Sequence, residues 1–246
     1  MPKLSKKQIF FSLFCLASFL CLVALGVWQL ERLKWKKSRI EYINLQLSLP
    51  AISFPISSDD INDVDNEYRL IHLYGTLMNT QDMYVGPKYF DSVPGFHLIT
   101  PMMMFDGTIV LVNRGWVPTL KKYEDIGSVY RPSEIVSLIG MMRKGDKSGA
   151  FTPDNDPTQG LWYWTDLKSM VESVRQLNQE NITRPVLVEV IEEEKTEKYP
   201  APFSKQITIR NDHLGYAITW FSLAFVVLVM YMVHFRSEIT SRRKEK

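Results

Sequence analysis

The chain has 246 residues, with 29 Lys and Arg against 27 Asp and Glu, a formal charge of +2 and 46% hydrophobic residues. The charge is unevenly placed: residues 1–30 sum to +3 and residues 236–246 to +3, whereas residues 31–213 sum to −4. Basic ends around a mildly acidic middle argue against a nucleic-acid binder, whose basic patch belongs in its folded domain.

Ile9 to Leu30 is a run of 22 residues without a charge, and so is Leu214 to Phe235. As helices each would be ~33 Å long, enough for a hydrocarbon core of ~30 Å. Both are apolar all round, unlike the one-sided stripe of a globular helix. We read them as transmembrane helices at 9–30 and 214–235. A cleaved signal peptide competes for the first, because Ala24-Leu25-Gly26 follows the small-x-small pattern behind Lys3, Lys6 and Lys7. The run, however, exceeds the usual apolar stretch of ~7–15 residues in such peptides. Arg236, Arg242, Arg243, Lys244 and Lys246 follow the second run, while Lys205 and Arg210 lie close before it. Residues 1–8 and 236–246 are therefore expected in the cytoplasm, and residues 31–213 outside it. Arg32, Lys34, Lys36, Lys37 and Arg39 point the other way but carry less weight, because long domains translocate largely regardless of charge. The few residues before the first run are too short for an Arg-rich presequence, which favours a bacterial inner membrane over the mitochondrial one. Trp28 and Trp220 fall near the outer ends of the runs, where indoles meet membrane lipid.

The first helix should continue past the membrane, since Leu33, Ile40, Ile43 and Leu47 keep helical spacing until Pro50. Ser57 to Glu67 is acidic and turn-rich, a loop. Strands are predicted at Tyr68–Leu77, at His97–Phe105 and Thr108–Val117 around the hairpin signal Asp106-Gly107, at Glu134–Arg143 and at Leu161–Thr165. Asp166 through Leu177 reads as an amphipathic helix, N-capped by Asp166 and apolar at Leu167, Met170, Val171 and Val174. Pro185–Ile191 and Lys205–Arg210 supply late strands. The expected class is a membrane protein: a two-helix transmembrane hairpin carrying an α+β, mostly antiparallel-sheet extracytoplasmic domain. Cys15 and Cys21 both lie in the first run, so the 183 residues of 31–213 would rely on a hydrophobic core, not disulfides.

Catalytic motifs are missing: the sequence has no Gly-x-Ser-x-Gly elbow, phosphate-binding loop, His-Glu-x-x-His or dinucleotide fingerprint. The expectation is a protein without turnover. Glu192-Glu193-Glu194 reads as a solvated turn, and Asn181-Ile182-Thr183 as a sequon without meaning in a bacterium. Met102-Met103-Met104 and Met141-Met142 could offer thioether sulfur to Cu(I), but neighbouring strand residues point to opposite faces, which favours core packing. No structural metal is predicted. Cys15 and Cys21 are six apart and sit on nearly opposite sides of a helix. His72 and His97 fall in strand patterns, as packing or surface residues. His234 would lie ~31 Å along the helix from His213, too far to share one iron.

Trp28, Arg32 and Trp35 follow i, i+4, i+7 on the first helix, and His213, Tyr216 and Trp220 follow i, i+3, i+7 on the second. If the helices pair, an aromatic slot forms at the membrane surface, edged by Arg32, Arg210 and one imidazole. Ordinary interfacial anchoring by aromatic belts and snorkelling Arg explains the same residues. Both readings stand on the spacing.

Gly26-Val27-Trp28-Gln29-Leu30-Glu31-Arg32-Leu33-Lys34-Trp35-Lys36 resembles the motif at the exit of the first span in the surfeit locus protein 1 family. Leu111 to Pro118 resembles its central motif, Phe151 to Asn155 with Trp162 to Asp166 its next block, and Arg210 to Phe221 the start of its second span. Asp212 and Gly215 depart from the family's usual Asn and Gln. The resemblance covers nearly the whole chain and implies a role in cytochrome c oxidase assembly, with oxidase subunit I and other assembly factors as partners. It further implies binding of haem a, for which His213 is the proposed iron ligand, with Trp28, Arg32, Trp35, Arg210, Tyr216 and Trp220 around it. Asn113, Arg114, Gly115 and Trp116 either close a strand by packing or form a docking surface for haem or an oxidase subunit. The competing expectations are a scaffold that never touches haem, copper delivery, and a membrane-bound enzyme.

Overall fold

The computed structural model describes residues 6–53, 66–119, 135–177, 183–193, 200–205 and 211–244. In chain order the elements are α1 (Lys6–Ser48), β1 (Ile52–Ser53), β2 (Leu70–Leu77), β3 (Met83–Phe90), β4 (Val93–Met104), β5 (Ile109–Pro118), β6 (Ile135–Arg143), α2 (Leu167–Leu177), β7 (Thr183–Glu193) and α3 (His213–Lys244). They divide into two compact units, Met1–Tyr42 with Thr208–Lys246, and Ile43–Ile207.

In the first unit α1 and α3 pair antiparallel. Each is long and apolar enough to cross a membrane, and their most apolar windows are only 6% and 11% buried, the reverse of a soluble core helix. The less exposed positions of α1 include Ser12, Cys15, Phe19, Leu22, Gly26 and Gln29, and those of α3 include His213, Ala217, Trp220, Phe221, Ala224, Val227 and Tyr231. Many of these positions recur at steps of three and four, so each helix turns one face towards the other. At one end Ser12 Oγ lies 3.3 Å from Tyr231 Oη. Towards the other, a Cβ on Gly26 would fall 2.7 Å from the Phe221 ring, so glycine allows the close approach. α1 ends at Ser48, two residues before Pro50, as its spacing predicts.

In the second unit the strands close on themselves. β2 pairs with β6, β6 with β7, β7 with β5 and β5 with β4. β4 is long enough to return to β2, placing Met102–Met104 against Gly75–Leu77. Five strands thus form a small barrel, the size of a partly open Greek-key barrel, with β3 added beside β4 and β1 beside β2. All pairings are antiparallel except β1–β2 and β5–β7. Val110, Val112, Leu73, Met102, Leu138 and Val188 fill the interior. Ile109 and Leu111 face the other way, under Met170, Val171 and Val174 of α2 and under Trp162. β5 is buried on both faces, which explains the apolar run Ile109–Val112 with which it begins. Met102 and Met104 are buried while Met103 is 38% exposed, the alternation that core packing requires. Asp166 caps α2, its carboxylate accepting the Ser169 N–H at 3.2 Å.

Several expectations are corrected. Leu161–Thr165 is not a strand; Asn155 Oδ1 accepts the N–H groups of Tyr163 and Trp164, leaving only single bridges from Leu161 and Trp162. β3 carries no clear strand signal, because Gly86-Pro87 resembles a turn. Pro87 is tolerated there on an edge strand, at a register shift between Val85 and Lys88. The β3–β4 turn uses Asp91 and Ser92 at φ 47° and 65°, without the glycine that marks such turns. Glu192 and Glu193 end β7, paired with Ile139 and Leu138, rather than forming a solvated turn. The predicted strand over 206–210, the loop over 57–65, Glu134, Asn181, Ile182 and Glu194 lie outside the described residues.

Candidate functional site

His213 is the first residue of α3, and Gln29 faces it from α1. His213 Nδ1 lies 2.7 Å from Gln29 Oε1. Gln29 is 9% exposed, a buried polar side chain inside an otherwise apolar seam. As the amide is placed its oxygen can only accept, so the imidazole carries its proton on Nδ1. Among the described residues Nε2 makes no hydrogen bond. The chain's other imidazoles are differently engaged: His72 Nε2 on Ser137 Oγ at 2.8 Å, His97 against the Phe203 ring, His234 against Phe11.

The predicted aromatics do not wall a slot between the helices. Trp28, Trp35 and Tyr216 are 50%, 57% and 53% exposed, and only Trp220, half-buried, falls on the seam. At ~100° per residue, Trp28, Arg32 and Trp35 lie ~60–120° round from Gln29, and Tyr216 lies ~60° round from His213. In an antiparallel pair those offsets turn towards the same flank of the hairpin. The residues therefore share an open, shallow face rather than an enclosed one. On it the Arg32 guanidinium sits 4.7 Å from the centre of the Trp35 ring. Arg210 lies outside the described residues.

The four docking candidates on β5 are packed inside the domain. Asn113, Arg114 and Trp116 are 2%, 2% and 5% exposed, and Gly115 is buried too. Arg114 is the extra residue of a β-bulge: Leu98 pairs with Gly115 and Ile99 with Asn113. The bulge delivers its guanidinium to Asn79, whose Oδ1 accepts from Nη1 at 3.3 Å. Asp82 lies in the same buried group, accepting a hydrogen bond from the Thr100 hydroxyl. Burial pushes the Asp82 carboxyl up to about 6, against the Thr100 hydrogen bond and the Arg114 charge, which favour its anion. Gly115, at φ +116°, lets the Ala201 segment bridge to Trp116, whose indole N–H donates to the Lys88 carbonyl at 3.2 Å. Among the described residues this block supports the barrel. Elsewhere in the domain burial lowers His97 to about 4, with the Lys88 charge adding to it and Asp146 opposing.

The description "SURF1 family" matches residues 16–225. The chain belongs to the SURF1 family. It is 32% identical to a SURF1-like protein of Rickettsia bellii (strain RML369-C) over 94% of this chain and 92% of that one. It is likewise 32% identical to a SURF1-like protein of Monosiga brevicollis, over 85% and 81% respectively. Rattus norvegicus Surfeit locus protein 1 is 28% identical over 81% of this chain and 67% of its own. Within this SURF1-family chain, sequence reasoning singled out His213 but missed Gln29. Its signal was available: a polar residue in an apolar run, in step with Ser12, Cys15 and Gly26 on the seam. The Asp82–Thr100–Arg114 group gave no signal, since it depends on the bulge and on pairing between distant strands.

Proposed function

We propose that this SURF1-family protein is an assembly factor for cytochrome c oxidase that holds haem a at the outer membrane lip and assists its insertion into subunit I. The carrying observation is His213, whose Nδ1 is held by Gln29 while Nε2 makes no hydrogen bond among the described residues, beside an exposed aromatic flank. In this reading α1 and α3 cross a bacterial inner membrane, or the mitochondrial one, with both termini cytoplasmic and residues 31–213 on the far side. Other assembly factors and membrane lipid complete its partners, and it performs no turnover.

Haem a, as cargo, brings an iron that accepts a neutral imidazole nitrogen, a flat apolar ring, an isoprenoid tail and two propionates. The residues present fit it. His213 Nε2 offers one donor, Trp28, Trp35 and Tyr216 offer exposed rings, and Arg32 offers a cation for a carboxylate. Among the described residues no cluster of three His, Cys, Asp or Glu could hold a metal. A single imidazole is a weak hold, which suits cargo passed to a better-ligated acceptor. The rival reading, a scaffold that never touches haem, is separated by purifying the protein from cells with and without haem A synthesis. A haem a Soret band only in the former supports the proposal; identical featureless spectra from both favour the scaffold.

A further inference from the structure

We infer that Gln29 is the positioning residue for His213, holding its imidazole in the tautomer protonated at Nδ1 so that Nε2 stands open as the ligand atom. The inference deepens the haem reading and rests on it for the ligand, though not for the tautomer. A free imidazole favours the tautomer protonated at Nε2, which would block that nitrogen as a donor. The Gln29 carbonyl at 2.7 Å reverses the preference and fixes the ring's rotation. Burial sharpens the effect: at 9% exposure Gln29 competes with little water for the Nδ1 proton. Its placement also depends on the seam, because Gly26, one turn earlier, brings α1 close enough to α3 for a side chain of this length to span the gap.

The partner's chemistry matters as well. A carboxylate in place of Gln29 would pull harder on the Nδ1 proton and make Nε2 a stronger donor. A neutral amide orients the ring while leaving the ligand of ordinary strength, in keeping with cargo that must leave. Gln29 is thus distinguished from a mere interhelical hydrogen bond, which would need neither this tautomer nor an open Nε2.

The test uses the full-length chain in lipid nanodiscs with 15N-labelled histidine, His213→Ala serving to assign the His213 nitrogens. Ferric haem is then titrated and followed by absorbance. The unaltered chain should show Nδ1–H at His213, and Gln29→Leu should lose it and bind ferric haem ten- to a hundred-fold more weakly, the range for removing a ligand's hydrogen-bond partner. Gln29→Glu should keep Nδ1–H and bind at least as tightly as the unaltered chain, which also answers a Gln29→Leu chain that fails to fold. A His213 protonated at Nε2, or a Gln29→Leu chain unchanged in tautomer or affinity, overturns the inference. If the unaltered chain binds no haem, the functional reading fails by itself and the tautomer comparison alone decides the part of Gln29.

Discussion

Gly115→Ala isolates what the central motif contributes to the barrel. Gly115 has φ +116°, where a side chain costs about 1–2 kcal/mol. The new Cβ would also fall 1.9 Å from the Ala201 carbonyl oxygen, a backbone atom that can yield only by moving the segment. That movement breaks the paired bonds between Trp116 and Ala201, at 2.9 and 2.7 Å, each worth about 0.5–1.5 kcal/mol. The sum is about 2–5 kcal/mol, a large share of the ~5–15 kcal/mol that stabilises a domain. Gly160 is the control, since φ is +68° but nothing lies within 4 Å of a Cβ there. For a unit of this size the Gly115→Ala melting temperature should fall by roughly 4–20 °C, and that of Gly160→Ala, which carries the backbone cost alone, by roughly 2–8 °C. Tryptophan fluorescence of the purified chain during heating reports both, with Trp116 at the site of change. Equal shifts in the two variants would refute the argument, because they would show that only the backbone conformation matters and not the approach of Ala201.

Replacing Gly26 by Leu should separate α1 from α3, since even a Cβ meets the Phe221 ring at 2.7 Å. Spin labels placed at positions 12 and 231, whose side chains touch at 3.3 Å, should then give a longer and broader distance distribution, and an unchanged one would contradict the seam. The pH dependence of the domain carries two opposed contributions. Asp82, raised from 3.8 to about 6 by burial, contributes stability present below pH ~4 and lost as pH rises through about 6. His97, lowered from 6.5 to about 4 by burial, contributes stability present above pH 6.5 and lost as pH falls towards about 4. Each amounts to up to about 3 kcal/mol and they nearly cancel between pH 4 and 6.5. Asp82→Asn should therefore leave a domain that loses denaturant resistance on acidification across this window, and a flat profile in that variant would refute the assignment.

Periodicity made the two helices legible, because a run of such length that is apolar on every side suits a bilayer and little else, and the three-and-four spacing already carried the seam. Asp166 and Asp106-Gly107 announced α2 and the β4–β5 hairpin through local hydrogen bonding that needs no distant partner. Barrel closure was not legible: it depends on β4 being long enough to serve β5 and β2 together, which no local pattern encodes. β3 was hidden by a proline tolerated only at an edge. At the site, His213 stood out as an imidazole at the start of an apolar run; Gln29 is likewise visible as a polar residue within one, and helix pairing shows which group it meets. The Asn113–Trp116 block attracted a docking reading because Arg and Trp are surface-recognition residues; the bulge at Arg114 turns that side chain inward instead.

The most direct measurement is the absorption spectrum of the protein purified from haem-A-producing cells, beside that of His213→Ala at equal membrane yield. The account predicts a haem a Soret band in the first and its loss in the second. A band of equal intensity in both would show that iron, if carried, is held elsewhere than at His213.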